Sequence, residues 1–212
     1  MKRIVLLTVL FSACSFLSAC AYQMSSSRLE TVKPQSNQLR LVVPKAIWER
    51  IFFQAIDERA RIAKLPSLRS ALPHGDLELR IWNGFGVTAL EGFVLRRSAG
   101  KWSAIHLKGI TPKLPRDEYE KKLGAPRSGW EECWRKLVEM EILSLPDAQE
   151  IQCSPSVNDG MSFVVEINQE NTYRTYMYDN PSFAECEQAK KMIVIGNFIA
   201  DEFDLPQMRT RA

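Results

Sequence analysis

Few residues in this chain carry chemistry beyond packing and surface charge. The candidates for metal binding or nucleophilic catalysis are two histidines, His74 and His106, and five cysteines, Cys14, Cys20, Cys133, Cys153 and Cys186. No Cys or His pair stands at the short intervals that zinc sites use. His74 lies in Pro73-His74-Gly75-Asp76, a turn composition, and His106 lies in a run that alternates as a strand. Cys133 sits between Trp130 and Trp134 on the apolar face of a helical pattern. There a thiol is a small core group, because a reactive one needs exposure and positive charge nearby. No serine has a nucleophile-elbow setting, and Asn83-Gly84-Phe85-Gly86 is too short for a phosphate loop. Glu131, Glu132, Glu139 and Glu141 read as the solvated side of a helix. Tyr173, Tyr176 and Tyr178 follow strand propensity around Arg174. The sequence therefore assigns no catalytic residue, no metal and no cofactor.

One stretch is compositionally unusual. Residues 93–116 hold Arg96, Arg97, Lys101, His106, Lys108, Lys113 and Arg116 and no acidic residue. Two readings stay open. Arg96, Lys101, Trp102, His106 and Lys108 form a surface for an anionic partner, such as a lipid headgroup or an acidic protein. Alternatively, a solvated hairpin carries charges that meet carboxylates at residues 117–120 or elsewhere.

The first residues state an address. Met1, Lys2 and Arg3 make a short basic start, and residues 4–17 form an apolar run too short to span a bilayer comfortably. The run ends at Leu17-Ser18-Ala19-Cys20. This resembles the lipobox of bacterial lipoprotein precursors, over about the first tenth of the chain. The resemblance implies cleavage before Cys20, acylation of its thiol (palmitate and related chains) and a membrane anchor. Two or three acyl chains hold a protein stably, since each buried methylene contributes about 0.8 kcal/mol. Ala21 follows the cysteine where an Asp would resemble an inner-membrane retention signal. The resemblance thus implies an outer-membrane address, facing the periplasm of a Gram-negative cell.

Export also bears on the remaining thiols. With Cys14 discarded and Cys20 acylated, three are left to meet an oxidising compartment. Cys133 points into the core, Cys153 sits in the adaptable loop Gln152-Cys153-Ser154-Pro155, and Cys186 opens the last helix. The expectation is a disulfide between Cys153 and Cys186, with Cys133 left free and buried.

Loss of Lys2 and Arg3 with the signal brings the chain's 28 basic and 25 acidic residues almost into balance. A near-neutral domain lacks the basic field that nucleic-acid binding needs. Residues 1–19 read as the signal, 20–40 as the lipidated cysteine and a polar tether, 41–206 as one globular domain and 207–212 as a polar tail.

Periodicity supplies the elements. A helix is expected over residues 45–63, from Pro44 in its first turn. Leu77, Leu79 and Ile81 alternate with Glu78, Arg80 and Trp82 as in a half-buried strand. Residues 90–97 and 101–108 form a hairpin. A three-residue loop, Ser98-Ala99-Gly100, pairs Arg97 with Lys101 and Arg96 with Trp102 and keeps the two faces distinct, which a two-residue loop would not. A second helix opens at Ser128 with a capping box to Glu131. Strands over 162–168 and 172–178 turn through Gln169-Glu170. A last helix starts near Ser182, capped with Glu185, and buries Ala189, Ile193, Gly196, Ala200 and Phe203. The fold class expected is α+β: an antiparallel sheet of about five strands, as a three-strand block and a hairpin, with three helices. The leading functional expectation is a membrane-anchored envelope lipoprotein whose domain binds a protein or envelope component without catalysis. The alternatives are a periplasmic hydrolase acting on envelope substrates and a structural subunit of an envelope assembly.

Overall fold

The alternating segment expected as a half-buried strand is strand β2, Leu77–Gly84, and all eight of its residues are buried. In the computed structural model, which describes residues 39–45, 49–84, 90–110, 113, 115–153, 155 and 160–209, it is the middle strand of the sheet. The signal, Cys20, the tether up to residue 38 and the last three residues lie outside the described residues, as do Phe85 and Gly86.

The described residues form one seven-stranded sheet in the order β1-β7-β6-β2-β3-β4-β5. The strands are β1 (Arg40–Val42), β2, β3 (Glu91–Ser98), β4 (Lys101–Lys108), β5 (Glu120–Leu123), β6 (Ser162–Gln169) and β7 (Thr172–Asp179). The helices are α1 (Glu49–Ile62), α2 (Arg116–Tyr119), α3 (Trp130–Glu139) and α4 (Glu187–Glu202). All neighbours are antiparallel except β1 and β7, which run parallel. This corrects the expected five antiparallel strands and three helices: the sheet is mixed, with seven strands, and four helices are described. The additions have a common cause. β1 has three residues, β5 four and α2 a single turn. They are too short to show a period, and the two strands exist because a longer neighbour offers its backbone donors and acceptors.

Both sides of the sheet are covered. On one side Leu77, Leu79, Ile81, Phe93, Leu95, Phe163, Val165 and Tyr176 pack with Cys133 and Leu137 of α3 and Ile195 and Ile199 of α4. On the other side Trp82, Val94, Leu107 and Val164 pack with Ile56, Ala60 and Ala63, which lie on and just after α1. Gly92 stands opposite Trp82, and a Cβ there would come within 3.1 Å of the indole.

Covering the second side changes the hairpin. β3 and β4 join through two residues, Ala99 and Gly100, at φ 48° and 73°, as a type I′ turn requires. The pairs are therefore Arg97 with Trp102, Arg96 with Ser103 and Phe93 with His106, not those of a three-residue loop. The expectation that a hairpin must segregate polar from apolar faces fails because both faces are interior. The polar groups are met there by partners: Glu78 receives Arg96, and Glu91 meets His106. The β6–β7 turn likewise lies one residue later than expected, at Glu170 and Asn171 with φ 50° and 58°.

The capping box expected at Ser128 does not form, and the last helix does not open near Ser182. α3 begins after Gly129, while the Ser128 N–H and hydroxyl both donate to the Glu202 carboxylate on α4. Glu131 instead accepts the Trp102 indole N–H at 2.6 Å. Pro181–Phe183 is a 3-10 turn, and α4 starts after Cys186, whose Sγ accepts the Ala189 N–H.

Candidate functional site

The chemically unusual part of the molecule is the α1 side of the central strands. Strand alternation sends Glu78, Arg80, Trp82, Arg96, Glu166, Asn168 and Tyr173 to that side, and α1 with the segment after it closes over them. Glu78 and Glu166 are each 2% exposed and Arg80 is 1% exposed. Burying such charges costs several kcal/mol each unless partners compensate, so their partners decide whether the cluster is tenable.

Two linked groups supply them. Glu78 bridges two guanidinium groups: Arg80 Nε donates to Oε1 at 2.7 Å and Arg96 Nε to Oε2 at 2.5 Å. Arg80 also donates to the Pro66 carbonyl at 2.6 Å, tying the strand to the segment after α1. One strand over, Glu166 accepts the Trp82 indole N–H at 2.7 Å and the Tyr173 hydroxyl at 2.9 Å, one on each carboxylate oxygen. Asn168 donates to the Leu68 and Ser70 carbonyls, which pins the same segment. Burial pushes the Glu166 carboxyl above its ordinary range, against the pull of the Arg80 charge and of its two donors. Burial and the adjoining Glu166 push Tyr173 upward as well.

A cleft of about 530 Å³ opens onto this cluster. Arg80 and Glu166 line it, together with Asp57 and Arg61 of α1 and Lys64 just after that helix. Asp57 is bonded to Arg69, whose guanidinium lies 5.9 Å from the Tyr173 ring centre. The arrangement can accept a small polar ligand at its rim. Its buried carboxylates are committed to protein donors, which suits them to holding the fold. Comparisons with known protein families, with curated proteins and with solved structures give no match to this chain.

The residues singled out in the sequence are placed as follows. Arg96 and Lys101 project to the α1 side of the sheet, and Trp102, His106 and Lys108 to the α3 side. The five do not share one face. Arg96 is paired with Glu78, and His106, 4% exposed, lies 3.1 Å from Glu91. Arg97 takes the place expected of Arg96, with its guanidinium 5.3 Å from the Trp102 ring centre. Cys153 and Cys186 are joined in a disulfide, with Cα atoms 5.9 Å apart. Cys133 is a free, buried thiol, and burial pushes it up to about 12, out of nucleophilic range. Among the described residues no group of three or more His, Cys, Asp or Glu is arranged to hold a metal ion.

Strand propensity for Tyr173 and alternation for Arg80 gave neither residue a part in a site, and Glu166 was not singled out. A signal was present for one of them: Glu166 stands alone inside Phe163-Val164-Val165-Glu166-Ile167, a carboxylate in an otherwise apolar run. Glu78 and Arg80 offered no such signal, since alternation with leucines is also what a solvated strand face looks like.

Proposed function

We propose that this chain is a lipid-anchored protein of the cell envelope, acylated at Cys20, whose folded domain serves as a binding or accessory module. The observation that carries the reading is the lipobox Leu17-Ser18-Ala19-Cys20 behind a basic start and a short apolar run. The Cys153–Cys186 disulfide supports it, because such crosslinks persist where thiols are kept oxidised, as in a periplasm. The engagement of both oxygens of Glu78 and of Glu166 by protein donors supports a structural role for the buried charges. With Ala21 after the cysteine, the outer membrane is the proposed address.

Expression of the precursor in a Gram-negative host with an alkyne-bearing fatty acid tests this reading. The wild-type chain is expected to take up the label and fractionate with membranes. Cys20→Ala is expected to lose the label and accumulate uncut. Processing of that variant at the same site, or a wild-type chain without label, overturns the reading.

A further inference from the structure

The sheet ends unevenly on the side of β5. β5 pairs with β4 only from Leu107 opposite Glu120 to Ala104 opposite Leu123. Residues 101–103, at the start of β4, pair with β3 on one side and with no described strand on the other. At about 3.3 Å per residue this free edge is some 10 Å long. A groove of about 350 Å³ lies along it.

The walls of this groove differ in chemistry. Trp102, Leu123 and Trp130 line it on the α3 side, where the Trp102 and Trp130 rings are stacked with centroids 6.4 Å apart. Arg96, Arg116 and Lys122 line it on the α1 side. Glu120 also lines the groove and is ion-paired with Arg116, and Arg96 is held by Glu78, so the excess positive charge of this wall is that of Lys122. An extended chain laid along the edge would send alternate side chains to the two walls.

We propose that this edge takes an extended peptide segment of a partner protein, with alternating apolar and acidic residues, as an added strand beside the start of β4. Apolar side chains pack on Trp102, Leu123 and Trp130, and acidic ones face Lys122, beside the ion-paired Arg96 and Arg116. This deepens the binding reading above by naming a site and a partner chemistry.

Other occupants fit less well. A second copy pairing through β5 would bring Lys121 and Lys122 of both chains together, a like-charge arrangement that edges use against association. The chain's own tails have the wrong sign: residues 21–38 carry Arg28 and Lys33 against Glu30, and residues 207–212 carry Arg209 and Arg211. A saccharide would need an open indole face, but the Trp102 ring is already engaged by Trp130 and Arg97.

The test uses the purified mature chain and fluorescein-labelled hexapeptides, read by anisotropy at low salt. The reference peptide alternates Glu with Val or Phe. A second replaces every Glu by Lys, and two more carry N-methyl groups on the odd or the even residues. The reference is expected to bind, and the Lys peptide to bind at least about tenfold more weakly. One N-methyl series should lose binding and the other keep it, since an edge strand bonds through every second N–H. Lys122→Glu, at an exposed position, should weaken the reference about fivefold, and added salt should do the same. The proposal is overturned by an unbound reference peptide, by equal binding of the two N-methyl series, by indifference to Lys122→Glu, or by displacement with a chitin oligosaccharide. Failure here leaves the acylation assay at Cys20 to judge the anchor separately.

Discussion

Removing the Cys153–Cys186 crosslink offers a quantitative check because two of its contributions separate. The bond closes a sequence separation of 33 residues, for which the chain-entropy relation gives about 3.7 kcal/mol of stabilisation at 25 °C. Cys186 also does a second job. Its Sγ accepts the Ala189 N–H at 3.4 Å, capping α4. Loss of a cap costs about 1 kcal/mol for an oxygen acceptor, and sulfur is a weaker one. Cys153→Ala breaks the crosslink and spares the cap. Cys186→Ala breaks both, and Cys186→Ser replaces the sulfur with a better acceptor. The expected order of stability is wild type, then Cys186→Ser, then Cys153→Ala, then Cys186→Ala. The first gap should be about 3 kcal/mol, and the last two variants should differ by about 0.5 kcal/mol. The double variant Cys153→Ala/Cys186→Ala should match Cys186→Ala closely, since a broken crosslink cannot be broken again. Equilibrium urea unfolding of chains purified from an oxidising compartment, followed by circular dichroism, reads all of these. A loss below about 1 kcal/mol on removing either cysteine would refute the crosslink argument. Identical stability of the Ser and Ala variants at position 186 would remove the cap.

Three further outcomes follow from the buried charges and the hairpin. Glu78→Gln leaves Arg80, at 1% exposure, without its carboxylate and should cost about 3–5 kcal/mol in urea unfolding. Replacing Glu78 and Arg80 together by Leu and Met should cost less, and a single variant within about 1 kcal/mol of wild type would contradict the pairing. Glu166 has its carboxyl raised above the ordinary 4.5, chiefly by burial, so the native state holds this proton more tightly than the unfolded chain. Wild-type stability should therefore fall relative to Glu166→Gln as pH climbs above that ordinary value, and level off below it; a constant gap or the opposite slope counts against this environment. Ala99, at φ 48° in the β3–β4 turn, pays a steric cost that glycine avoids, so Ala99→Gly should stabilise by roughly 0.5–1 kcal/mol. A destabilised Ala99→Gly variant would argue against the two-residue turn.

Much of the fold was legible where chemistry is local. Strand identity for β2, β3, β4, β6 and β7 follows from period-two runs bounded by turn residues, and a helical period marks α3 and α4. The pairing of Cys153 with Cys186 could be reasoned because export, an apolar helix face for Cys133 and an adaptable loop for Cys153 left few choices. The lipobox and near-neutral charge are likewise properties of the chain alone.

Tertiary structure decided the rest. Whether Glu78, Arg80 and Arg96 face water or a helix is not written in their alternation with leucines. It depends on α1 and the segment tied down through Pro66, Leu68 and Ser70 lying over that side of the sheet. Once both sides were interior, the rule that a hairpin separates polar from apolar faces lost its force. The register then slipped by one residue, and Arg97 rather than Arg96 came to Trp102. β1 and β5 exist only through ladders supplied by β7 and β4, and the groove exists only because β5 stops opposite Ala104. Each of these depends on partners far away in the chain. A pattern of period two records which residues share a side of a strand, and packing alone decides what that side meets.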